Sequence, residues 1–156
     1  MNSNVGKAKV LAVVPGRCRQ CQRCELYCSF SHFKTHSISL ASIHTVRVHG
    51  DGLSLEPSIC IQCGRCMEAC PVPGAMKRGA KLEIIKVTDK CTGCGQCIPA
   101  CPFGLITINP DTREAVKCDC CDGDPECVKH CPYYALVYVD DDKVTELTFA
   151  TRIIQR

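Results

Sequence analysis

The sequence predicts an α+β fold of two small modules, in which one module is inserted within the other. Three observations support this prediction. The 156 residues include 17 cysteines, and nearly all of them fall into four blocks of similar spacing. Short strand-like segments flank these blocks. Because the cysteines are counted within the 46% of hydrophobic residues and tryptophan is absent, the ordinary apolar core is thin, so the fold needs covalent or metal staples.

The cysteines are expected to bind metal rather than to form disulfides. A secreted disulfide scaffold is expected to have an even number of cysteines and an export signal. The best candidate for the apolar part of such a signal is Val10–Val14, which is too short and is ended by Pro15. No apolar run reaches membrane-spanning length. The thiols therefore indicate a reducing compartment, and we expect a cytoplasmic location.

The formal net charge of +3 does not indicate a nucleic-acid partner. Lysine and arginine are scattered along the chain, and no RRM, KH or helical basic motif is present. We therefore interpret these charges as a solvated surface and expect no binding to nucleic acid.

One cysteine spacing is repeated along the chain. The first block is Cys18-x2-Cys21-x2-Cys24-x3-Cys28, and the last three blocks end in Cys-Pro, whereas Ser29 follows the first. This assignment places 16 of the 17 cysteines and leaves Cys120 as an expected non-ligand. The second block is Cys60, Cys63, Cys66 and Cys70, the third is Cys91, Cys94, Cys97 and Cys101, and the stretched fourth is Cys118, Cys121, Cys127 and Cys131.

The spacing C-x2-C-x2-C-x3-C-P is that of bacterial ferredoxins and indicates a [4Fe-4S] cluster. Three thiolates at i, i+3 and i+6 can hold three corners of one cubane, whereas the fourth points away and ligates the other cluster of a pair. Structural zinc needs two C-x2-C pairs separated by a dozen or more residues, so a zinc protein is a remote alternative. The four blocks therefore predict four [4Fe-4S] clusters.

Cross-ligation requires the blocks to come in pairs. The 20 residues between Cys70 and Cys91 suffice for a turn, one strand over Leu82–Val87 and a return. The second and third blocks then form an inner module over residues 58–110, and the first and fourth form an outer module over residues 1–57 and 111–156. Further strands are expected at Lys9–Val14, Ile43–Val48, Leu53–Leu55, Leu105–Ile108, Ala115–Lys117, Ala135–Val139 and, as a returning hairpin, Val144–Phe149, with turns at Gly50–Gly52, Asn109–Thr112 and Asp140–Asp142.

The chain resembles the four-cluster ferredoxin-like electron-transfer subunits that accompany molybdenum or tungsten pterin oxidoreductases, some hydrogenases and carbon monoxide dehydrogenase. The shared features are the nested modules, the first block without a terminal proline and the stretched fourth block, and they cover about residues 8–140. The resemblance implies two bacterial-ferredoxin-like (βαβ)2 modules whose blocks exchange their last cysteines. The implied ligand sets are Cys18, Cys21, Cys24 and Cys131 (site 1); Cys60, Cys63, Cys66 and Cys101 (site 2); Cys91, Cys94, Cys97 and Cys70 (site 3); and Cys118, Cys121, Cys127 and Cys28 (site 4).

The segment Cys24–His32, CELYCSFSH, resembles the opening of the small polyferredoxins of tungsten aldehyde oxidoreductases. The resemblance implies a subunit of anaerobic metabolism that takes electrons from a large pterin subunit. The implied subunit passes these electrons to another carrier, such as an NAD-linked flavoprotein or further copies of this chain joined end to end. The alternatives are a free soluble ferredoxin and an electron-transfer subunit of a hydrogenase or carbon monoxide dehydrogenase. No catalytic residue is expected, because the chain has no P-loop, dinucleotide fingerprint or nucleophile with a base at motif spacing.

The charged residues near sites 1 and 4 allow the reduction potentials of these two sites to be ranked. A reduced cluster is one unit more negative than an oxidised one, so nearby cations raise its potential and nearby anions lower it. We therefore expect the higher potential at site 1. The first block is flanked by Arg17, Arg19 and Arg23, and the fourth by Asp119, Asp122, Asp124 and Glu126.

Overall fold

The computed structural model describes residues 9–47, 55–80 and 83–144. Within these ranges the chain is a mixed α/β fold of short elements, as predicted. Three short 3-10 segments lie at Ile38–Leu40, Cys120–Gly123 and Asp141–Lys143. The strands are β1 (Lys9–Val13), β2 (His44–Arg47), β3 (Leu55–Ser58), β4 (Met76–Arg78), β5 (Ile85–Val87), β6 (Thr107–Ile108), β7 (Ala115–Val116) and β8 (Leu136–Asp140), and the α-helices are α1 (Arg23–Phe33), α2 (Arg65–Glu68), α3 (Cys97–Ala100) and α4 (Glu126–Lys129).

The strands of the described residues form four two-stranded antiparallel ribbons. Three ribbons join strands that are neighbours in sequence: β2 with β3, β4 with β5, and β6 with β7. In the fourth ribbon β1 pairs with β8, from Lys9 opposite Asp140 to Val13 opposite Leu136. The two ends of the described chain are therefore held side by side.

Strands β1, β2, β5, β6, β7 and β8 correspond to expected strands, and five of these six are shorter than or cut back from the expected ranges. β4 has no counterpart among the expected strands, and the strand expected at Leu53–Leu55 overlaps β3 only at Leu55, because residues 53 and 54 lie outside the described residues. The strand expected at Leu82–Val87 is observed as β5, and Leu82 lies outside the described residues. The Gly50–Gly52 turn also lies outside them, as does the returning strand Val144–Phe149 apart from its first residue. The strand expected at Ala135–Val139 is observed as β8, one residue further along, and its partner in the structure is β1.

Two separate groups of buried side chains form the core. Cysteine thiols belong to both groups, which fits a chain whose ordinary apolar residues are few. The first group draws its cysteines from the first and fourth blocks, and the second group draws them from the second and third blocks. The first comprises Leu11, Val13, Cys24, Cys28, Ala41, Ile43, Ile59, Cys127 and Leu136, and the second comprises Cys66, Met76, Ile85, Cys97, Ile106 and Ala115.

Helix α1 has 11 residues, whereas α2, α3 and α4 have four each. The three short helices end just before a Cys-Pro step, because proline disfavours helical backbone in the residue that precedes it. Ser29 stands in place of that proline in the first block, so α1 continues past Cys28 to Phe33. The Ser29 hydroxyl donates to the carbonyl of Leu26 at 2.9 Å. None of the helices within the described ranges is long and apolar enough to cross a membrane.

Candidate metal centres

The four cysteine loops share two positions of positive φ, to which the fourth loop adds Cys121 (46°) and Gly123 (96°). A positive φ occurs two residues after the first cysteine of each block and again four residues after it. Left-handed backbone at two points of so short a segment coils the loop tightly around its own thiols. The first set is Gln20 (58°), Gln62 (55°), Gly93 (67°) and Cys120 (52°), and the second set is Gln22 (55°), Gly64 (91°), Gly95 (75°) and Asp122 (58°).

Cys120 is therefore the counterpart of Gln20, Gln62 and Gly93 rather than of a ligand. Its side chain is buried, with 3% exposed, and its Sγ accepts a hydrogen bond from Gln62 Nε2 at 3.8 Å. Cys121 occupies the position of the second cysteine in the other blocks. The backbone pattern thus supports the expectation that Cys120 is not a ligand.

Gly93 is required by the packing of its loop as well as by its left-handed backbone. A Cβ atom added at Gly93 would lie 2.0 Å from the carbonyl oxygen of Arg113, which is closer than any real contact. At Gly95 the nearest atom to an added Cβ is Ile98 Cδ1, at 3.8 Å. The third block therefore lies directly against the turn that leads into β7.

Two cavities in the half of the molecule around the second core group are lined by thiols. Each contains the first three cysteines of one block and the last cysteine of the other block. The structure thus brings together the residues that the sequence predicts for site 2 and for site 3. Cys60, Cys63, Cys66 and Cys101 line the first cavity, and Cys70, Cys91, Cys94 and Cys97 line the second.

In the other half, thiols from the first and fourth blocks approach one another. Burial raises the pKa of Cys18, and the nearby Cys131 and Cys21 add to the rise, while the N–H of Gln20 opposes it. Cys24 belongs to the first core group, and Cys131 packs against that group. These four residues are the ones predicted for site 1.

The thiols predicted for site 4 are the most deeply buried set. Burial raises the pKa of Cys28 to about 12, and Cys118 and Cys121 contribute to the rise. Burial also holds the pKa of Cys127 well above its usual value, together with the charges of Cys118, Cys28 and Cys121. Cys28 comes from the first block and the other three thiols come from the fourth.

The donor set fits a cationic iron centre. Burial raises the pKa of Cys24 to about 12 and that of Cys97 to about 11, so these thiols are neutral at pH 7 unless a cation lies among them. Metal ions supply that positive charge and bind the thiolate form. Four thiols converge at each site, which matches the four iron corners of a [4Fe-4S] cubane.

Backbone N–H groups point at the sulfurs. Leu105 N–H donates to Cys101 Sγ at 3.5 Å, and Ala135 N–H donates to Cys131 Sγ at 3.3 Å, in each case four residues after the cysteine. Ser42 N–H donates to Cys28 Sγ at 3.4 Å. Such donors stabilise anionic sulfur and are one of the means by which proteins tune iron–sulfur clusters.

The acidic surface charges beside the fourth block are partly neutralised. Lys86 forms an ion pair with Asp122, and Lys129 forms ion pairs with both Asp124 and Glu126. These pairs are exposed, so water and salt screen them. The charge contrast on which the ranking of site 1 above site 4 depends is therefore smaller than the sequence suggests.

Glu25 is a buried charged residue that the sequence did not single out. Its side chain lies in α1 and only 2% of the residue is exposed. The carboxylate accepts hydrogen bonds from the backbone N–H and the hydroxyl of Thr45, at 2.9 and 2.8 Å, and lies 3.5 Å from His44 Nδ1. After burial, this carboxylate is the second largest contribution that raises the pKa of Cys24.

The interpretation of the lysine and arginine charges as a solvated surface is wrong for Lys117, which is 5% exposed. Its Nζ donates to Gln62 Oε1 at 3.0 Å and to the carbonyl oxygens of Ile85 and Cys118 at 2.7 and 2.6 Å. The sequence signal available for both buried charges is their position next to a predicted ligand, since Glu25 follows Cys24 and Lys117 precedes Cys118. It does not by itself distinguish a buried charge from an exposed one.

Thiol sets held between short antiparallel ribbons define a protein that binds iron–sulfur clusters. Two 4Fe-4S dicluster domain families match the chain, over residues 17–75 and over residues 52–102. The polyferredoxin-like subunit of the aliphatic sulfonate oxidoreductase of Pyrococcus furiosus is 32% identical over 136 residues, which is 84% of this chain and 76% of that protein. The chain belongs to this family of [4Fe-4S] electron-transfer proteins.

Two further relatives extend the comparison. The electron transport protein HydN of Escherichia coli (strain K12) is 29% identical, over 87% of this chain and 90% of that protein. The beta subunit of the NADH-dependent phenylglyoxylate dehydrogenase of Aromatoleum evansii is 30% identical over 86% of this chain, but the chain spans only 31% of its length. The relatives confirm the prediction of an electron-transfer protein. The two dicluster matches overlap at the second block and end before the fourth, so it is the four cysteine blocks that correspond to four [4Fe-4S] clusters.

Proposed function

We propose that the chain is the electron-relay subunit of a larger oxidoreductase and that sites 1 to 4 each hold one [4Fe-4S] cluster. The observation that carries this proposal is the exchange of cysteines between blocks at the two inner cavities. Cys70 lies in the cavity of the third block, and Cys101 lies in the cavity of the second. Such an exchange is how paired cubanes are held in two-cluster ferredoxins.

The nested arrangement of two ferredoxin-like modules is part of the proposal. The β1–β8 ribbon and the first core group support an outer module, and the second core group supports an inner one. The β6–β7 hairpin spans residue 110, and Ala115 packs in the second core group. We therefore assign β7 to the inner module, which extends the expected range of residues 58–110 to about residue 117.

The two modules adjoin at Cys60 and Cys118. Cys118 lines the cavity of site 2, although it belongs to the predicted ligands of site 4. Burial raises the pKa of Cys60 to about 11, and the charge of Cys118 contributes to that rise. Bound clusters supply one-electron transfer, and the role of the chain is to hold them close and to exclude water. A continuous relay then crosses from one module to the other at sites 2 and 4.

The partner we propose is a large catalytic subunit with a tungsten or molybdenum pterin cofactor, in a cytoplasmic complex. The name of the Pyrococcus relative, a polyferredoxin-like subunit of an oxidoreductase, supports a fixed subunit. The name of an NADH-dependent relative supports an NAD-linked flavoprotein as a second partner. Self-association end to end is the alternative exit for electrons. A free ferredoxin remains the competing function, and the electron transport protein HydN is the relative that favours it.

Anaerobic purification from the native host tests the proposal. We expect about 16 iron and about 16 acid-labile sulfide per chain, since each of four cubanes contains four of each. A large subunit containing tungsten or molybdenum should elute with the chain. A colourless, metal-free chain that is still folded would contradict the cluster assignment, whereas an iron-loaded monomer would favour the free ferredoxin.

Single cysteine variants test the ligand sets. Cys70→Ala should lose the cluster of site 3, whose other ligands lie in the third block, and Cys101→Ala should lose the cluster of site 2. Each variant is expected to retain three clusters, visible as about 12 iron per chain. An unchanged iron content in either variant would exclude the exchange of cysteines between the inner blocks.

A further inference from the structure

Lys117 is a buried cation that has no carboxylate partner among the described residues. None of the ion pairs between described residues includes it. Its three hydrogen bonds go to oxygens of Gln62, Ile85 and Cys118, and three acceptors match the three N–H donors of an ammonium group. A buried positive charge raises the free energy of the fold unless negative charge lies near it. The thiol sites are where that negative charge is to be found.

Thiols of two sites lie beside the ammonium group. Lys117 lines the cavity of site 2 together with Cys60 and Cys66, and it donates a hydrogen bond to the carbonyl oxygen of Cys118. Burial raises the pKa of Cys60 and of Cys66, and in both cases the charge of Lys117 opposes the rise. The described residues that line the cavity of site 3 include no lysine or arginine. The buried charge is therefore placed asymmetrically within the inner pair.

We propose that Lys117 sets the reduction potential of site 2 above that of site 3. The inference rests on the ligand sets proposed above. Reduction by one electron adds one negative charge to a site, and a cation fixed in low-dielectric surroundings stabilises that charge more strongly than a cation in water. An electron that enters the inner module then resides mainly at site 2, beside the contact with site 4. Lys117 acts through its charge and is not itself a ligand.

Redox-poised EPR on Lys117→Met tests the inference, because methionine removes the charge and keeps much of the apolar volume. The site 2 signal is identified as the one missing from Cys101→Ala. In Lys117→Met the midpoint potential of site 2 should fall by at least 59 mV. For a one-electron couple, this shift is a tenfold change in the ratio of reduced to oxidised cluster. In Lys117→Arg, which keeps the charge, the midpoint potential of site 2 should shift by less than 59 mV.

Lys77 provides the matched control. It is an exposed lysine on β4, in the same half of the molecule, and Lys77→Met removes the same formal charge where water screens it. No midpoint potential should shift by as much as 59 mV in this variant. A shift as large as that of Lys117→Met would show that net charge, rather than the buried position, controls the potential, and would overturn the inference.

Iron and acid-labile sulfide are measured on every variant to separate the possible failures. If the unaltered protein lacks iron, the proposed function fails. If Lys117→Met is fully loaded and the site 2 midpoint is unmoved, the inference fails while the proposed function stands. Should Lys117→Met lose iron, Lys117→Gln replaces it, since glutamine keeps a hydrogen-bond donor. Loss of the site 2 cluster from both neutral variants would assign Lys117 a purely structural role and would also overturn the inference.

Discussion

The Glu25 carboxylate accepts two hydrogen bonds from Thr45, one from the backbone N–H and one from the hydroxyl. Glu25 lies in α1, which carries two cysteines of the first block, and Thr45 lies in β2. The pair thus ties the helix of the first block to the β2–β3 hairpin that precedes the second block. Since Ser29 allows α1 to extend beyond the cysteines, this long helix needs such an anchor.

Removing this anchor should destabilise the protein. Glu25→Ala leaves both Thr45 donors without their acceptor, and we expect it to lower the unfolding free energy by about 3 kcal/mol. Glu25→Gln keeps one acceptor oxygen and removes the charge, so its effect should be smaller. The measurement is the guanidinium concentration at which the visible absorption bleaches under anaerobic conditions. Equal bleaching midpoints for both variants would show that the charge of Glu25, and not its hydrogen bonds, matters.

Gly93 should tolerate alanine far less well than Gly95. Gly93→Ala forces the Cβ against the carbonyl of Arg113, so the loop of the third block must move. Gly95→Ala meets no close atom and adds only the cost of a left-handed alanine, roughly 1 to 2 kcal/mol. We expect Gly93→Ala to lose iron from site 3 while Gly95→Ala stays loaded. Iron content per chain measures the difference, and full loading of Gly93→Ala would mean that the loop can shift without losing its thiol geometry.

Cys120 and Cys121 should respond differently to the same substitution. Cys121→Ala removes a proposed ligand of site 4 and should lose that cluster, whereas Cys120→Ala should keep about 16 iron per chain. Cys120→Ala still removes the acceptor of Gln62 Nε2, which retains its stronger bond to the carbonyl of Cys118 at 2.9 Å. EPR of the reduced protein records which cluster is missing. If Cys120→Ala lost iron and Cys121→Ala did not, Cys120 would be the ligand and Cys121 would not.

Loading of the sites should release protons and become more favourable as the pH rises. Burial raises the pKa of Cys24 and of Cys28 to about 12, and that of Cys97 to about 11, so these thiols are protonated in the metal-free protein at neutral pH. Iron binds the thiolate, and each ligand therefore gives up one proton on loading. We expect the extent of anaerobic reconstitution to increase between pH 7 and pH 9.

A pH-stat titration during reconstitution measures those protons, after subtraction of the protons that hydrosulfide loses when it becomes the sulfide of each cubane. About four should be released by the thiols of each site that is loaded. Cys101→Ala is the matched control, because it lacks one ligand and is expected to load three sites. Reconstitution that is independent of pH and releases no protons beyond those of hydrosulfide would show that the buried thiols are already ionised before iron binds.

The conformation of each cysteine loop could be anticipated from sequence because it is local, whereas the fourth thiol proposed for each site comes from a distant block. The spacing of each block predicts which three thiols face one site, and the Cys-Pro steps mark where α2, α3 and α4 end. Gly93 and Gly95 also signal left-handed backbone. Gln20 and Gln62 adopt the same backbone conformation without any such signal, since glutamine rarely does so and the closure of the loop imposes it.

The buried charges could not be predicted, because burial is decided by segments distant in sequence. Lys117 is covered by Gln62 and Ile85, and Glu25 is covered by β2. The place of β7 in the inner module could not be predicted for the same reason. Ala115 follows the third block by 14 residues, yet it returns to donate its N–H to Cys91 Sγ at 3.4 Å.

The β1–β8 ribbon also has a consequence for the order of events on the ribosome. The thiols of the second and third blocks can meet as soon as residue 101 has emerged. In the proposed ligand sets, Cys18 and its neighbours are completed only by Cys131, which is synthesised, just before β8, more than a hundred residues later. Iron delivery to the nascent chain would therefore fill the middle of the sequence before its beginning, and truncation before β8 would leave the earliest thiols exposed to oxidation.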